Sequence, residues 1–390
     1  MTTDSAAATD SATATRTRLI MTGGFLGAGK TTLLLRLGEW LNSRGLRVGL
    51  VTNDQAGGLV DTSLGRAHDL AVEEIAGGCF CCRFNSLLEA AEALGREQAA
   101  DILLAEPVGS CTDLVATVSL PLEQLYGERF ELAPFSVVLD PLRAARILGL
   151  AAGPRFSEHV EYIYRKQLEE AECIVINKID LADDALRDQL RQALVREFRQ
   201  ARLFELSARE GTGVEAWCEA MLSERSAAAA IADLDYDRYA DGESLLGWLN
   251  ADINLAAHKA EQGGEFDGNG LLLELLMTIR GELAATGFEI AHLKATLSVE
   301  GDDYELAAAN LVRTDDAPTL SHRLAEPIDI GRLLLNLRAE ADPDLLKQAI
   351  HRSLQTLADR CEVTVSHLEH FRPGRPVPTH RLTGIQRSAT

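Results

Sequence analysis

Thr22-Gly-Gly-Phe-Leu-Gly-Ala-Gly-Lys-Thr-Thr32 lies between a short apolar run, residues 19–21, and Leu33-Leu34-Leu35, which open an amphipathic helix. Gly24-x-x-x-x-Gly29-Lys30-Thr31 has the spacing of a phosphate-binding loop between a strand and a helix. Glycines at Gly24, Gly27 and Gly29 let backbone N–H groups turn inward around a β-phosphate, and the N–H groups of Ala28 and Thr32 join the same cradle. Lys30 is placed to reach the β and γ oxygens, and the Thr31 hydroxyl to bind Mg²⁺. The helix dipole adds favourable charge. The plain alternative is a glycine-rich turn, against which the strand–loop–helix context speaks.

Working outward, the chain has 390 residues, which suggests more than one domain. Its 46% apolar and 25% charged residues describe a globular protein. The net charge of −21 argues against nucleic acid or an anionic membrane as partner. Residues 1–17 are rich in Ala, Thr, Ser and Asp and read as a disordered arm, not as an export signal. Seven cysteines without such a signal point to a reducing cytoplasm and thiol chemistry, not disulfides.

Strand-like runs at 19–22, 48–53, 71–75, 102–106, 136–140, 174–177 and 203–206 alternate with helical patterns such as 33–43, 87–97 and 184–199. Short apolar strands separated by helices predict an α/β, mainly parallel, doubly wound sheet over residues 18–225. Functional loops then belong at the carboxyl ends of its strands.

Four such ends carry chemistry. Asn53-Asp-Gln-Ala-Gly-Gly58 is a polar loop able to fold over a γ-phosphate. Asp54 is its candidate Mg²⁺-associated or water-orienting residue, with Gln55 a rival for the second role. Glu73-Glu-Ile-Ala-Gly-Gly-Cys79-Phe-Cys81-Cys82-Arg83 gathers three soft ligands suited to Zn²⁺, Co²⁺ or Cu⁺, one short of a closed zinc tetrahedron. Core cysteines or a redox pair are the alternatives. Leu104-Ala-Glu106-Pro-Val-Gly109-Ser-Cys111 offers a Mg²⁺-associated acid, a glycine N–H for the γ-phosphate and an extra thiol that is either ligand or core. Cys173-Ile-Val-Ile-Asn177-Lys178-Ile-Asp180 ends in a guanine-reading pattern. The Asp180 carboxylate accepts from the base N1–H and 2-amino group together, an arrangement adenine lacks. The Lys178 stem packs along the base, Asn177 ties the loop, and Ser207-Ala208-x-x-Gly211 supports the guanine carbonyl.

With these motifs assembled, the first 225 residues resemble the CobW-type metallochaperone GTPases, relatives of urease and hydrogenase maturation GTPases and of nitrile hydratase activators. The Gly78-Cys-Phe-Cys-Cys82 element carries the likeness most specifically. The resemblance implies slow hydrolysis of Mg²⁺-GTP and a transition metal, Zn²⁺ or Co²⁺, carried on Cys79, Cys81 and Cys82 to a client metalloprotein or cofactor-biosynthesis protein. It implies no nucleic acid or membrane partner and allows a homodimer. A regulatory GTPase switch with structural or redox-sensing cysteines is the competing class, and a nucleotide-dependent kinase a more distant one. The chain departs from the family where Asn-Glu-Phe-Gly-Glu is usual, having Asn53-Asp-Gln-Ala-Gly57 instead. Ser110-Cys-Thr-Asp113 replaces a common Leu-Ala-Asp-Pro, and the His-rich tract of many members is absent. No residue reads as a supplied arginine finger, so turnover of order 10⁻² s⁻¹ or below is expected.

Residues 223–233, Ser/Ala-rich, read as a hinge, and residues 226–285 as a linker and helical insert ending in an amphipathic helix at 271–285. Alternation at 292–299, 304–312, 328–338 and 362–370, with a helix at 344–358, predicts a smaller α+β domain over 286–372 with an antiparallel sheet. His367, His370 and His380 are scattered histidines able to add metal ligands. The basic, Pro-containing tail 373–390 reads as extended, either solvated or docked on an acidic partner.

Overall fold

The computed structural model describes residues 16–53, 65, 68, 70–97, 100–227, 231–258, 263–299 and 302–382. Asp54, Gln55 and Gly57, with most of the proposed arm and the end of the tail, lie outside the described residues.

Two sheets form the molecule. The first runs β3-β2-β4-β1-β6-β7-β8, with β5 also on β1, and every described pairing in it is parallel. Its strands are β1 (Thr17–Gly23), β2 (Val48–Asn53), β3 (Ala71–Ile75), β4 (Ile102–Glu106), β5 (Phe130–Leu132), β6 (Ser136–Leu139), β7 (Cys173–Ile176) and β8 (Arg202–Glu205). β1, β2, β4, β6 and β7 are almost wholly buried, as near-continuous apolar strands covered on both faces should be. Helices α1 (Lys30–Asn42), α2 (Phe84–Glu97), α3 (Leu120–Tyr126), α4 (Pro141–Ile147), α5 (Glu158–Glu169), α6 (Asp184–Glu197) and α7 (Val214–Ser223) surround them. β1 starts at Thr17, one residue inside the stretch read as an arm. β5 was not foreseen, because three residues leave no periodic signal.

The second sheet runs β12-β11-β10-β13-β9-β14 and is antiparallel throughout. It comprises β9 (Leu246–Ala257), β10 (Ile290–Val299), β11 (Asp302–Leu311), β12 (Thr319–His322), β13 (Ile330–Glu340) and β14 (Cys361–Phe371). Helices α8 (Tyr236–Leu245), α9 (Gly268–Ala284) and α10 (Pro343–Gln355) accompany it. The helical-insert reading of 226–285 is corrected here. Only α8 is helical in its first half, and β9 is a twelve-residue strand paired on both sides, to β13 and β14. Leu249, Ala251, Ile253, Leu255 and Ala257 alternate along it and are buried against the α9 and α10 side chains. That period-2 pattern was present in the sequence, among tyrosines and acids that masked it.

Charged groups cross the seam between the sheets. Asp140, 2% exposed, bonds Lys178 from one side and Arg313 from the other, each at 3.0 Å. Arg143 donates to the backbone carbonyls of Ile290 and Val312. Among the described residues no helix is long and apolar enough to cross a membrane.

Candidate functional site

Residues Gly24 to Gly29 join β1 to α1, with Lys30, Thr31 and Thr32 in the first helical turn. Gly29 has φ of 94°, and a Cβ there would lie 2.5 Å from the Asn177 amide nitrogen. At Gly27 a Cβ would meet the Ala291 carbonyl of β10 at 2.9 Å, so the antiparallel sheet presses directly on the loop. Thr31 Oγ1 donates to Glu106 Oε1 at 3.0 Å, and Lys30 Nζ lies 3.8 Å from the same oxygen. Hydroxyl and carboxylate oxygens beside a lysine form a hard donor set that fits Mg²⁺ and phosphate. Gly109 packs on Leu26 of the loop, where a Cβ would come within 2.8 Å of its side chain.

The residues expected from the sequence to read a base, Asn177, Lys178 and Asp180, stand beside the same cradle. Asn177 Nδ2 donates to the Ala28 carbonyl at 3.0 Å, while its Oδ1 accepts from Ala208 N–H at 2.9 Å. One side chain thus joins the phosphate loop to the Ser207-Ala208 loop. Lys178, left-handed at φ 52°, arches over the loop and donates to the Gly27 carbonyl at 2.7 Å. Asp180 stands exposed in the following 3₁₀ turn, open to an incoming base.

The thiols lie in the turn between β3 and α2, just ahead of a helix N-terminus that favours thiolate. Cys79 Sγ is 2.8 Å from Cys81 Sγ and 3.2 Å from Cys82 Sγ. Hydrogen bonds from the Cys111, Cys81 and Cys82 side chains hold the Cys79 thiol well below its ordinary value, outweighing burial. Cys81 moves the opposite way, pushed up first by its interaction with Cys111 and then by Cys79, Cys111 is pushed up chiefly by Cys79, and Cys82, also chiefly through Cys79, rises to about 11. One shared thiolate is the nucleus a soft metal needs. Asn53, at the end of β2, donates to the carbonyls of Ile75 and Gly78, so the strand entering the phosphate cleft also holds the thiol turn.

Several groups here had no role at the site assigned from the sequence, although His292-Leu-Lys-Ala-Thr-Leu297 resembles the start of the family's C-terminal domain. Lys294 of β10 reaches into the cleft, its Nζ 3.4 Å from Thr31 Oγ1. His292 beside it is held neutral by burial and by the neighbouring Lys294 and Arg338 charges. A lysine on an alternating strand carries no motif, so only the fold could have revealed it. Glu243 and Tyr239 of α8 line a cavity at the thiols, and burial pushes the Glu243 carboxyl up to about 8. The tail through Leu382 is extended as expected, but it docks on its own chain. Thr379 N–H donates to the Cys81 carbonyl at 2.8 Å, Val377 N–H points at Cys82 Sγ, and Arg381 pairs with Asp113 at 2.7 Å. The acidic partner is internal because Asp113, only 1% exposed, needs a cation. Of the scattered histidines, His380 packs edge-on against Phe84, His370 faces Asp344, and His367 is exposed. The metal-competent cluster among the described residues is Cys79, Cys81 and Cys82.

Known proteins bear on this arrangement. The chain is 29% identical over 199 residues to the zinc chaperone CobW of Sinorhizobium sp., an alignment covering 43% of this chain and 53% of that protein. The match therefore spans about half the length of that relative. HypB from Helicobacter pylori in complex with nickel aligns at 17% identity and TM-score 0.40, covering 53% of this chain and 86% of that one. Zn(II)-bound YjiA GTPase from E. coli aligns at 14% identity and TM-score 0.37, covering 86% and 98%. Residues 18–204 match the family CobW/HypB/UreG, nucleotide-binding domain. Over residues 18–204, which hold the phosphate loop and the thiol turn, the chain is thus similar to the CobW/HypB/UreG nucleotide-binding domain.

Proposed function

We propose that this protein binds and hydrolyses GTP with Mg²⁺ and carries a thiophilic transition metal, Zn²⁺ or Co²⁺, on the Cys79-x-Cys81-Cys82 turn for delivery to a client protein. The metal is cargo, and the nucleotide is the switch. The observation that carries the reading is Asn53, which ties the thiol turn to the strand entering the phosphate cleft. A change at one site then strains the other, and linkage makes the effect reciprocal.

In the cleft, Lys30 and the loop N–H groups hold the β and γ oxygens, while Thr31 and Glu106 provide the oxygen donors for Mg²⁺. When bound there, Mg²⁺ would supply positive charge against that developing on the phosphate oxygens. Gly109 lets its loop approach the phosphate loop, and Asp180 selects guanine. Asp54 is retained as the proposed water-orienting or Mg²⁺-associated group. The protein acts in the cytoplasm on this reading.

Titration of Zn²⁺ or Co²⁺ into apo, GDP-bound and GTP-analogue-bound protein tests the proposal. One metal per chain, bound tighter in the GTP state and lost in the Cys81→Ala/Cys82→Ala double variant, is the expected result. Uptake of no metal in any state, or equal binding by the double variant, leaves a GTPase whose cysteines serve structure or redox sensing.

A further inference from the structure

We infer that residues 375–382 form a displaceable strap over the thiol turn, and that the strip beneath them docks an extended segment of a partner protein carrying a basic side chain. The inference rests on the proposal that the turn hands its cargo to a client. It names the chemistry of the segment by which that client engages.

The strip offers backbone acceptors to the tail. Thr379 N–H donates to the Cys81 carbonyl at 2.8 Å and Leu382 N–H to the Ala116 carbonyl at 3.0 Å. The Thr379 hydroxyl donates to the Cys82 carbonyl at 3.3 Å, and Val377 N–H meets Cys82 Sγ itself at 3.3 Å. Main-chain pairing of this kind accepts any extended chain, as in strand addition to a sheet edge. Selectivity comes from one place. Asp113, 1% exposed and left-handed at φ 65°, accepts from Arg381 and from the Tyr236 hydroxyl, each at 2.7 Å. The Arg381 guanidinium also lies 5.4 Å from the centre of the Tyr236 ring. A buried carboxylate beside an aromatic ring is a receptor for a guanidinium or an ammonium.

The strap itself is lightly held. Of residues 372–382 only Pro373 and Pro376 are buried, and Val377 is 72% exposed. His380 adds an edge-on contact to Phe84. The pairs Arg372–Asp342 and Arg375–Asp237 lie at the surface, where ion pairs contribute little. Few buried apolar contacts and exposed backbone bonds mark a segment that opens without unfolding its support. Yet this strap covers Cys82, the half-buried and outermost thiol of the turn, whereas Cys79 and Cys81 are buried. A partner reaching the turn must take the strap's place. The net charge of −21 favours a basic segment in doing so.

The test uses the full, metal-free chain and follows the labelling of Cys82 by the thiol reagent DTNB. Arg381→Glu and Asp113→Asn, the latter keeping a residue type that tolerates positive φ, should each label one cysteine about 10-fold faster or more than wild type, the others staying slow. A synthetic peptide of residues 373–382, added to Arg381→Glu, should bind and restore slow labelling, and the same peptide carrying R381E should not. In wild type, which needs no variant, amide exchange over residues 372–382 should run about 100-fold faster than over β14. Variants labelled at the wild-type rate, or tail exchange as slow as that of β14, overturn the strap. A peptide that neither binds nor protects overturns the docking strip. Labelling of all the cysteines together marks an unfolded variant, and the wild-type exchange then decides. None of these readings uses metal, so a wild type that takes up no metal overturns the proposed cargo alone.

Discussion

The parallel sheet presents its functional groups at strand ends, whereas the antiparallel sheet presents its own on a face. In the first, Glu106 ends β4, while Lys30, Asn177 and the thiols follow the strands β1, β7 and β3. Each loop is a short run of consecutive residues, so its chemistry is written as a motif. In the second, pairing puts His292 beside Arg338 and Arg338 beside Trp248. The next row on the same face joins Lys294, Asn336 and Asn250. These groups lie tens of residues apart in sequence and meet only through register. The opposite face of that sheet is apolar and packs on α9 and α10. One sheet is thus read along the chain and the other across it.

The largest expected effect tests the strand-end side of this contrast. Lys30→Ala should abolish measurable GTP hydrolysis, because the loop loses its charge on the transferring phosphate. A phosphate-release assay retaining wild-type rates would remove the cleft from the chemistry altogether.

Asp180→Asn comes next. Two hydrogen bonds to a charged acceptor are at stake, about 3 kcal/mol or more, so GTP affinity should fall at least about 100-fold while xanthine nucleotides gain. Competition binding with GTP, ATP and XTP checks this. Comparable ATP and GTP affinities in the wild type would sink the guanine assignment.

A third test probes the support beneath the motifs, which neither way of reading sees. Glu170, fully buried, accepts from Thr112 Oγ1 and Val115 N–H and so pins the loop that follows Glu106 and Cys111. Burial, opposed by these bonds and helped by Asp113, pushes its carboxyl up to about 8. The unfolded chain releases this proton near pH 4.5, while the folded chain keeps it until about 8. Between those values the folded state holds more protons, so this group makes stability fall as pH rises. Glu170→Gln should remove that component, about 3.5 kcal/mol between pH 5 and 8, in urea unfolding followed across the range. A pH dependence identical to wild type would place the proton elsewhere.

The smallest effect sharpens the contrast most. Lys294→Ala should weaken GTP-analogue binding or slow hydrolysis about 10-fold, near 1.4 kcal/mol, if the sheet face takes part in the cleft. Comparing kcat with KM tells which. No change in either would reduce the antiparallel sheet to a cover over a site built entirely by the parallel one.

Thr22–Thr32, Glu106, Asn177–Asp180 and the cysteine turn were legible because each is local. A few adjacent residues set both backbone geometry and chemistry, and near-continuous apolar strands announced the parallel sheet around them. The alternating strands of the second sheet were mostly legible too, with β9 lost among acids and aromatics although its period was there. Tertiary structure alone decided the rest. It set Lys294 against Thr31 and Asp140 between Lys178 and Arg313. It also laid the basic tail across the cysteine turn. None of these pairs is close in sequence. Each partner alone reads as an ordinary surface charge or core residue, and only cross-strand register and the packing of one sheet on the other bring them within bonding distance.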